Sequence, residues 1–253
     1  VAADDAAPAH AEIEAYARDS RDWPNAGDEI IIPRRSNGWA GVLGYVAILV
    51  FVAILAHKDS FGHDWCVAGS ARAGLIRSGQ TWRSVTALML HVDLSHLSAN
   101  VVLGSLIGLF AGQLLGSGLA WASILVAGAV GNFFNAWIRD TGHTSVGAST
   151  AVFASLGIVA AYAWSRPRPT RTPRLTRVTP LVGAVVLLSF LGTGGGRTDV
   201  GAHITGFVSG LFLGAVYGTL GDEMQFGRRA QILLGIGALA VLTLAWTFAL
   251  AYA

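Results

Sequence analysis

The sequence predicts an all-α protein that crosses a membrane several times, and three observations carry that prediction. Only 13% of the 253 residues are charged while 53% are apolar, and the mean hydropathy is +0.55. Soluble chains carry about 25% charged residues, so a water-facing surface cannot be drawn from this composition. The charges are also unevenly placed, leaving uncharged runs at 36–57, 94–138, 141–165, 178–196, 200–221 and 230–253. A membrane helix needs about 20 predominantly apolar residues. The longest run therefore holds two, with Gly116-Ser117-Gly118 as the break.

Seven spans follow, at 38–57, 94–115, 119–138, 147–165, 178–193, 201–220 and 231–252. Residues 1–37 contain eight acids and four arginines without the basic patch and apolar stretch of a signal peptide, and read as a solvated tail. Arginine bias near the span ends sets the orientation. With the tail in the cytoplasm, inside segments carry eleven arginines and outside segments six basic residues, so the C-terminus lies outside. The proline-rich run from Ser165 to Arg177 is then an extended cytoplasmic loop. The outer connection 58–93, with Trp65 and Trp82, is expected in the membrane interface. Seventeen basic against fifteen acidic residues leave no concentrated field for nucleic acid. The single Cys66 closes no internal disulfide. Sixteen arginines against one lysine point to a GC-rich, bacterial source and so to an inner-membrane protein.

No Asp or Glu lies inside a proposed span, which counts against proton relays, ion-coupled transport and an aspartyl protease. No HExxH supports a zinc protease. The informative polar residues in or near spans are Ser95, His96, Ser98, Asn100, Asn132, Asn135, Ser149, Thr150, Ser155, His203, Thr205 and Ser209. Spans two, four and six enter from the outer side and open on His96-x3-Asn100, Gly147-Ala148-Ser149 and Ala202-His203. A lone Ser or His in a membrane helix is most often interhelical glue. Three polar clusters at one end of three spans point instead to a shared site.

Ser149 falls in the first turn of a helix, beside unpaired backbone N–H groups and the positive end of the helix dipole, a position suited to an oxyanion. Serine is a weak nucleophile until a base takes its proton, and His203 is the one histidine inside spans three to seven. Gly206, Gly210 and Gly214 at spacing four give its helix a smooth face for close packing. His96 and Asn100, four apart, share one face of span two, from which they could donate to a tetrahedral oxyanion. His91 could pair with His96 on a metal, but no further ligand has the spacing, so neither metal nor cofactor is expected.

In these residues the chain resembles the rhomboid intramembrane serine proteases. The resemblance runs from about 38 to 220 and rests on Trp82-Arg83, on His91, His96 and Asn100, on Gly147-Ala148-Ser149, and on Ala202, His203, Gly206 and Gly210. It implies a six-helix catalytic core at 38–220, followed at 221–253 by a cytoplasmic loop and an added seventh helix. It implies a Ser149–His203 dyad without a carboxylate, and oxyanion donors at His96, Asn100 and the Ser149 backbone N–H, in the turn made by Gly147. The aromatic residue that stacks on the catalytic histidine falls at Phe153, where a tyrosine is frequent. Thr150 stands where many relatives have glycine, adding bulk beside the oxyanion site. A glutamate often found a dozen residues after the asparagine is replaced in the neighbourhood of Gly112 and Gln113.

The expected reaction is cleavage of the transmembrane segments of membrane-protein substrates near the outer face, with the lipid bilayer as surrounding medium. Lateral substrate entry near spans two and five and a preference for small residues at the cleavage point follow from the resemblance alone. The glycine-rich stretch 191–196 has the composition of a movable lid or of a plain flexible turn. The alternative is a catalytically inactive rhomboid-like protein that binds membrane clients, whose usual mark is loss of the serine or the histidine.

Overall fold

The computed structural model describes residues 6–19, 38–166, 174–192, 198–221 and 226–252. The chain divides into two compact units. The described part of the smaller is one helix, α1 (Ala6–Asp19), with Ile13 and Tyr16 exposed. The 1–37 tail thus contains a helix that its charge count did not suggest; the alanine-rich run and Arg18 in the last turn favour it.

The larger unit begins with α2 (Trp39–His57). Short pieces follow: α3 (Trp65–Gly69), β1 (Ala71–Arg72), α4 (Ala73–Arg77) and α5 (Arg83–Thr86). Then come α6 (Leu94–Leu115), α7 (Ser117–Ile138), β2 (Thr144–Ser145), α8 (Ser149–Ser165), α9 (Arg174–Gly192), α10 (Val200–Leu220) and α11 (Arg228–Ala251). Among the described residues five helices, α2, α6, α7, α10 and α11, are long and apolar enough to cross a membrane; shorter apolar helices at Ser149–Ser165 and Val178–Gly192 occupy the fourth and fifth expected spans. The break between α6 and α7 is Gly116, at φ +86°. Residues 167–173 of the expected cytoplasmic loop lie outside the described residues, and Arg174 already belongs to α9.

Outward faces are apolar. On α6, Val102, Leu106 and Phe110 recur one turn apart and are all exposed; on α7, Val126, Val130 and Phe134 do the same. In water such stripes would aggregate, whereas against hydrocarbon they are the matching surface. Small residues face inward. Gly206, Gly210 and Gly214 of α10 lie so close to α8 that a Cβ on them would stand 2.3, 2.0 and 2.3 Å from the carbonyl oxygens of Thr150, Ala154 and Ile158. Helices without side chains between them gain van der Waals contact along their whole length. The central helix α8 is buried nearly throughout, from Thr150 to Tyr162.

The 58–93 connection packs into the protein. Trp65 is buried, with its ring 4.6 Å from that of Trp246 on α11, and Trp82 stacks on Phe248 and Tyr252. These partners lie on or just after α11, which charge patterning cannot pair with the two tryptophans. Arg83, also buried, donates to Gln80 Oε1 and to the carbonyls of Val67 and Ser70 at 2.7–3.0 Å. The β1–β2 ladder pairs Ala71 with Ser145 and Arg72 with Thr144, tying this connection to the segment that enters α8. At the opposite end, Gln231 of α11 donates to Leu115 O and accepts from Leu119 N–H, each at 2.9 Å, satisfying groups that the α6–α7 turn leaves open.

Candidate active site

Three helix ends meet around His203. Ser149 opens α8. Its Oγ lies 2.9 Å from Nε2 of His203, one turn into α10. The other ring nitrogen, Nδ1, lies 2.8 Å from the carbonyl oxygen of Gly192, the last residue of α9. A carbonyl only accepts, so Nδ1 carries the proton and Nε2 presents its lone pair to the serine hydroxyl. His203 is buried, and the Phe153 ring packs at 4.5 Å from it between centroids. Of the glycine-rich stretch 191–196, the described part is Leu191 and Gly192, which finish α9; the rest lies outside the described residues.

The turn into α8 needs Gly147. Its φ is +134°, and a Cβ there would stand 2.6 Å from Cε1 and 2.8 Å from Nε2 of His96, and 3.6 Å from Ser149 Oγ. His96 therefore presses on the backbone beside the serine. Gly147 N–H donates to Ala87 O at 2.9 Å, and Ala148 N–H approaches His91 Nε2 at a long 3.5 Å. The His91 and His96 rings meet edge to face at 5.2 Å. Burial, reinforced by His96 and opposed by the Met89 carbonyl and Asp93, pushes the His91 imidazole down to about 4. Asn100 is buried one turn beyond His96, and its amide donates to His96 O at 3.0 Å. An amide NH2 has two hydrogens, so one donor remains for another acceptor. Asn100 O receives the Tyr45 hydroxyl at 2.8 Å, which ties α2 to this stretch of α6.

Thr150 points away from this turn. Its Cγ2 fills the space over Gly131 and Gly206, each of which would place a Cβ 2.9 Å from it, so its bulk sits in the α7–α8–α10 contact and not beside the serine. Three of the other polar residues bond within their own helices: Ser155 to Val152 O, Thr205 to Gly201 O and Ser209 to Thr205 O. Asn132 and Asn135 instead reach across, to Ser84 O and to Asp199.

Asp199, one turn before His203, stands out in the structure but not among the polar residues of the spans. It caps α10 by accepting from Ala202 N–H at 3.2 Å, and its backbone carbonyl accepts from His203 N–H. Its carboxylate also takes Asn135 Nδ2 at 2.8 Å, Arg139 Nη2 at 2.8 Å and His143 Nε2 at 2.7 Å. Burial alone would raise this carboxyl; the Arg139, His143 and Ala202 donors outweigh it and hold the group well below the usual carboxylate range. A mostly buried carboxylate thus stands one turn before His203, just outside the acid-free spans, but its oxygens face α7 and the α7–α8 loop while His203 Nδ1 turns to Gly192. The available sequence signal was an Asp three residues before Ala202, the spacing of a helix cap.

The family model of the Rhomboid domain matches residues 78–220, more than half of the chain and the stretch that holds His91, His96, Asn100, Gly147, Ser149, Phe153 and His203. The chain belongs to the rhomboid family. It is 29% identical over 195 residues to Rhomboid protease GluP of Bacillus subtilis (strain 168), covering 77% of this chain and 37% of that protein. With Rhomboid-like protease 1 of Toxoplasma gondii it shares 34% over 150 residues, 56% of this chain and 49% of the relative. With RHOMBOID-like protein 5 of Arabidopsis thaliana it shares 30% over 152 residues, 58% and 48%. The chain spans half or less of the length of these relatives. As a rhomboid with five long apolar helices and apolar outward faces, it is an integral membrane protein.

Proposed function

We propose that this rhomboid is an intramembrane serine endopeptidase that cleaves transmembrane segments near the outer face of the membrane. The observation that supports this reading is the hydrogen bond between Ser149 Oγ and His203 Nε2, with the opposite ring nitrogen on the Gly192 carbonyl. His203 takes the hydroxyl proton as Ser149 Oγ attacks the peptide carbonyl carbon. The Gly192 carbonyl keeps the tautomer and stabilises the imidazolium, the work an aspartate does in a triad. The tetrahedral oxyanion forms beside Ser149 N–H at the positive end of α8, within reach of His96 and Asn100; one such donor contributes about 10²- to 10³-fold. When the intermediate collapses, the C–N bond breaks and His203 gives its proton to the leaving amine. Water, deprotonated by His203, then attacks the acyl carbon, the C–Oγ bond breaks, and His203 returns the proton to Ser149 Oγ.

In this reading α2, α6, α7, α8, α9 and α10 make the core and α11 is the seventh span, with the tail in the cytoplasm of a bacterial cell and the C-terminus outside. α8 has 17 residues, about 26 Å at 1.5 Å per residue. A hydrocarbon core is about 30 Å thick, so the serine at its end lies below the surface. The partners are single transmembrane segments entering from the bilayer beside α6 and α9. The client-binding alternative loses support because serine and histidine are both present and in contact.

The test is cleavage of a single-span substrate by purified protein in detergent, compared with Ser149→Ala. Cleavage should vanish in the variant; equal cleavage by both would remove the dyad.

A further inference from the structure

A groove of about 380 Å³ runs between α2, α7 and α11 and reaches Ala148 and Ala151 at the start of α8, while neither Ser149 nor His203 lines it. On α11 its wall is a stripe from Arg228 through Gln231, Gly235 and Ala238 to Leu242. On α2 it is Gly41, Gly44 and Tyr45, with Trp121 of α7 beside them. The glycines are not used for helix contact throughout: a Cβ added at Gly44 or at Gly235 would meet nothing within 4 Å. Glycine faces normally let membrane helices close on one another; here two of them border open space. Among the described lining residues Arg228 is the one charged group, and it stands at one end of an otherwise largely apolar channel.

We propose that this groove holds one acyl chain of an anionic phospholipid, with the phosphate on Arg228. The dimensions favour a chain over a helix. From Arg228 to Leu242 the stripe is about 21 Å long at 1.5 Å per residue. Spread over that length, the volume corresponds to a cross-section of about 18 Å². A methylene chain some 4–5 Å across by van der Waals contact fills such a section, whereas an α-helix about 10 Å in diameter needs roughly 80 Å². The charge selects the head group: the Arg228 guanidinium and the first-turn N–H groups of α11 both favour a phosphate carrying net negative charge. A zwitterionic head group brings its own ammonium to the same place.

The test uses the intact protein in phosphatidylcholine vesicles doped with phosphatidylglycerol that carries a photoactivatable acyl chain. Crosslinks should concentrate on α2 and α11 residues of the groove and should be lost in both Gly44→Leu and Gly235→Leu, two variants that fill it from opposite walls. Unchanged gel filtration and thermal unfolding in either one serve as the folding control. Arg228→Gln should lower the preference for phosphatidylglycerol over an identically labelled phosphatidylcholine by about fivefold, the worth of one basic residue at an anionic surface. Crosslinks spread evenly over all outward faces, or unchanged by filling the groove, would overturn the proposal. So would equal labelling by the two lipids. Crosslinking of a Gly235→Cys protein to a substrate helix or to a second copy, in place of lipid, would assign the groove to a protein partner and overturn it as well.

Discussion

The carboxylate of Asp199 and the guanidinium of Arg139 meet at 2.8 Å, joining the cap of α10 to the end of α7. Through this contact the helix that carries His203 is held to the helix that precedes the Gly147 turn. Asp199→Asn can still cap α10 but cannot carry the charge that pairs with Arg139. Because Arg139 is 38% exposed, the loss is discounted for solvent and amounts to about 1–2 kcal/mol. Thermal unfolding in detergent should show a midpoint a few degrees lower for Asp199→Asn and for Arg139→Gln. The double variant should be hardly worse than Asp199→Asn alone, since that change already removes the charge Arg139 pairs with. Full additivity would mean that they act separately.

His91 predicts a pH dependence with a definite sign. Its imidazole is pushed from 6.5 down to about 4, so between those values the unfolded chain binds a proton that the folded chain does not. Its contribution is complete above about pH 6.5 and declines as the pH falls toward 4. His91→Gln should flatten this part of the profile of unfolding midpoint against pH. A drop between pH 7 and pH 5 as large as in the unsubstituted protein would contradict the assignment.

Gly147 is required by two independent features, a φ of +134° and the nearness of His96. Gly147→Ala must adopt a disfavoured backbone conformation, about 1–3 kcal/mol, and displace the imidazole by a Cβ contact below 3 Å. Both changes disturb the donors around Ser149. Substrate cleavage should fall by at least about tenfold while the helical circular dichroism is kept. An unaltered rate would show that the turn does not position the site.

The uncharged runs located the long helices well because a bilayer imposes length and apolarity together: 94–115 is Leu94–Leu115, and 201–220 is Val200–Leu220 but for one residue. The three polar clusters were legible for the same reason, since a polar group in an apolar run stands out. Other features had no such signal. The Gly192 carbonyl that orients His203 is a backbone atom, which no residue type advertises. Asp199, Arg139 and His143 lie just beyond span ends, where charges are ordinary, and their meeting depends on how α7 and α10 pack. Trp65 and Trp82 match an interfacial composition, yet their partners on α11 are more than 160 residues away in the chain.

In the proposed mechanism His203 activates Ser149, and covalent trapping reads that activation at the serine itself. A fluorophosphonate reacts with a serine only when a base withdraws its proton. Peptide mapping by mass spectrometry after treatment of the purified protein should find the adduct on Ser149. His203→Ala, checked for an unchanged thermal midpoint, should carry none. An adduct on a different serine, or equal labelling of Ser149 without His203, would contradict the account.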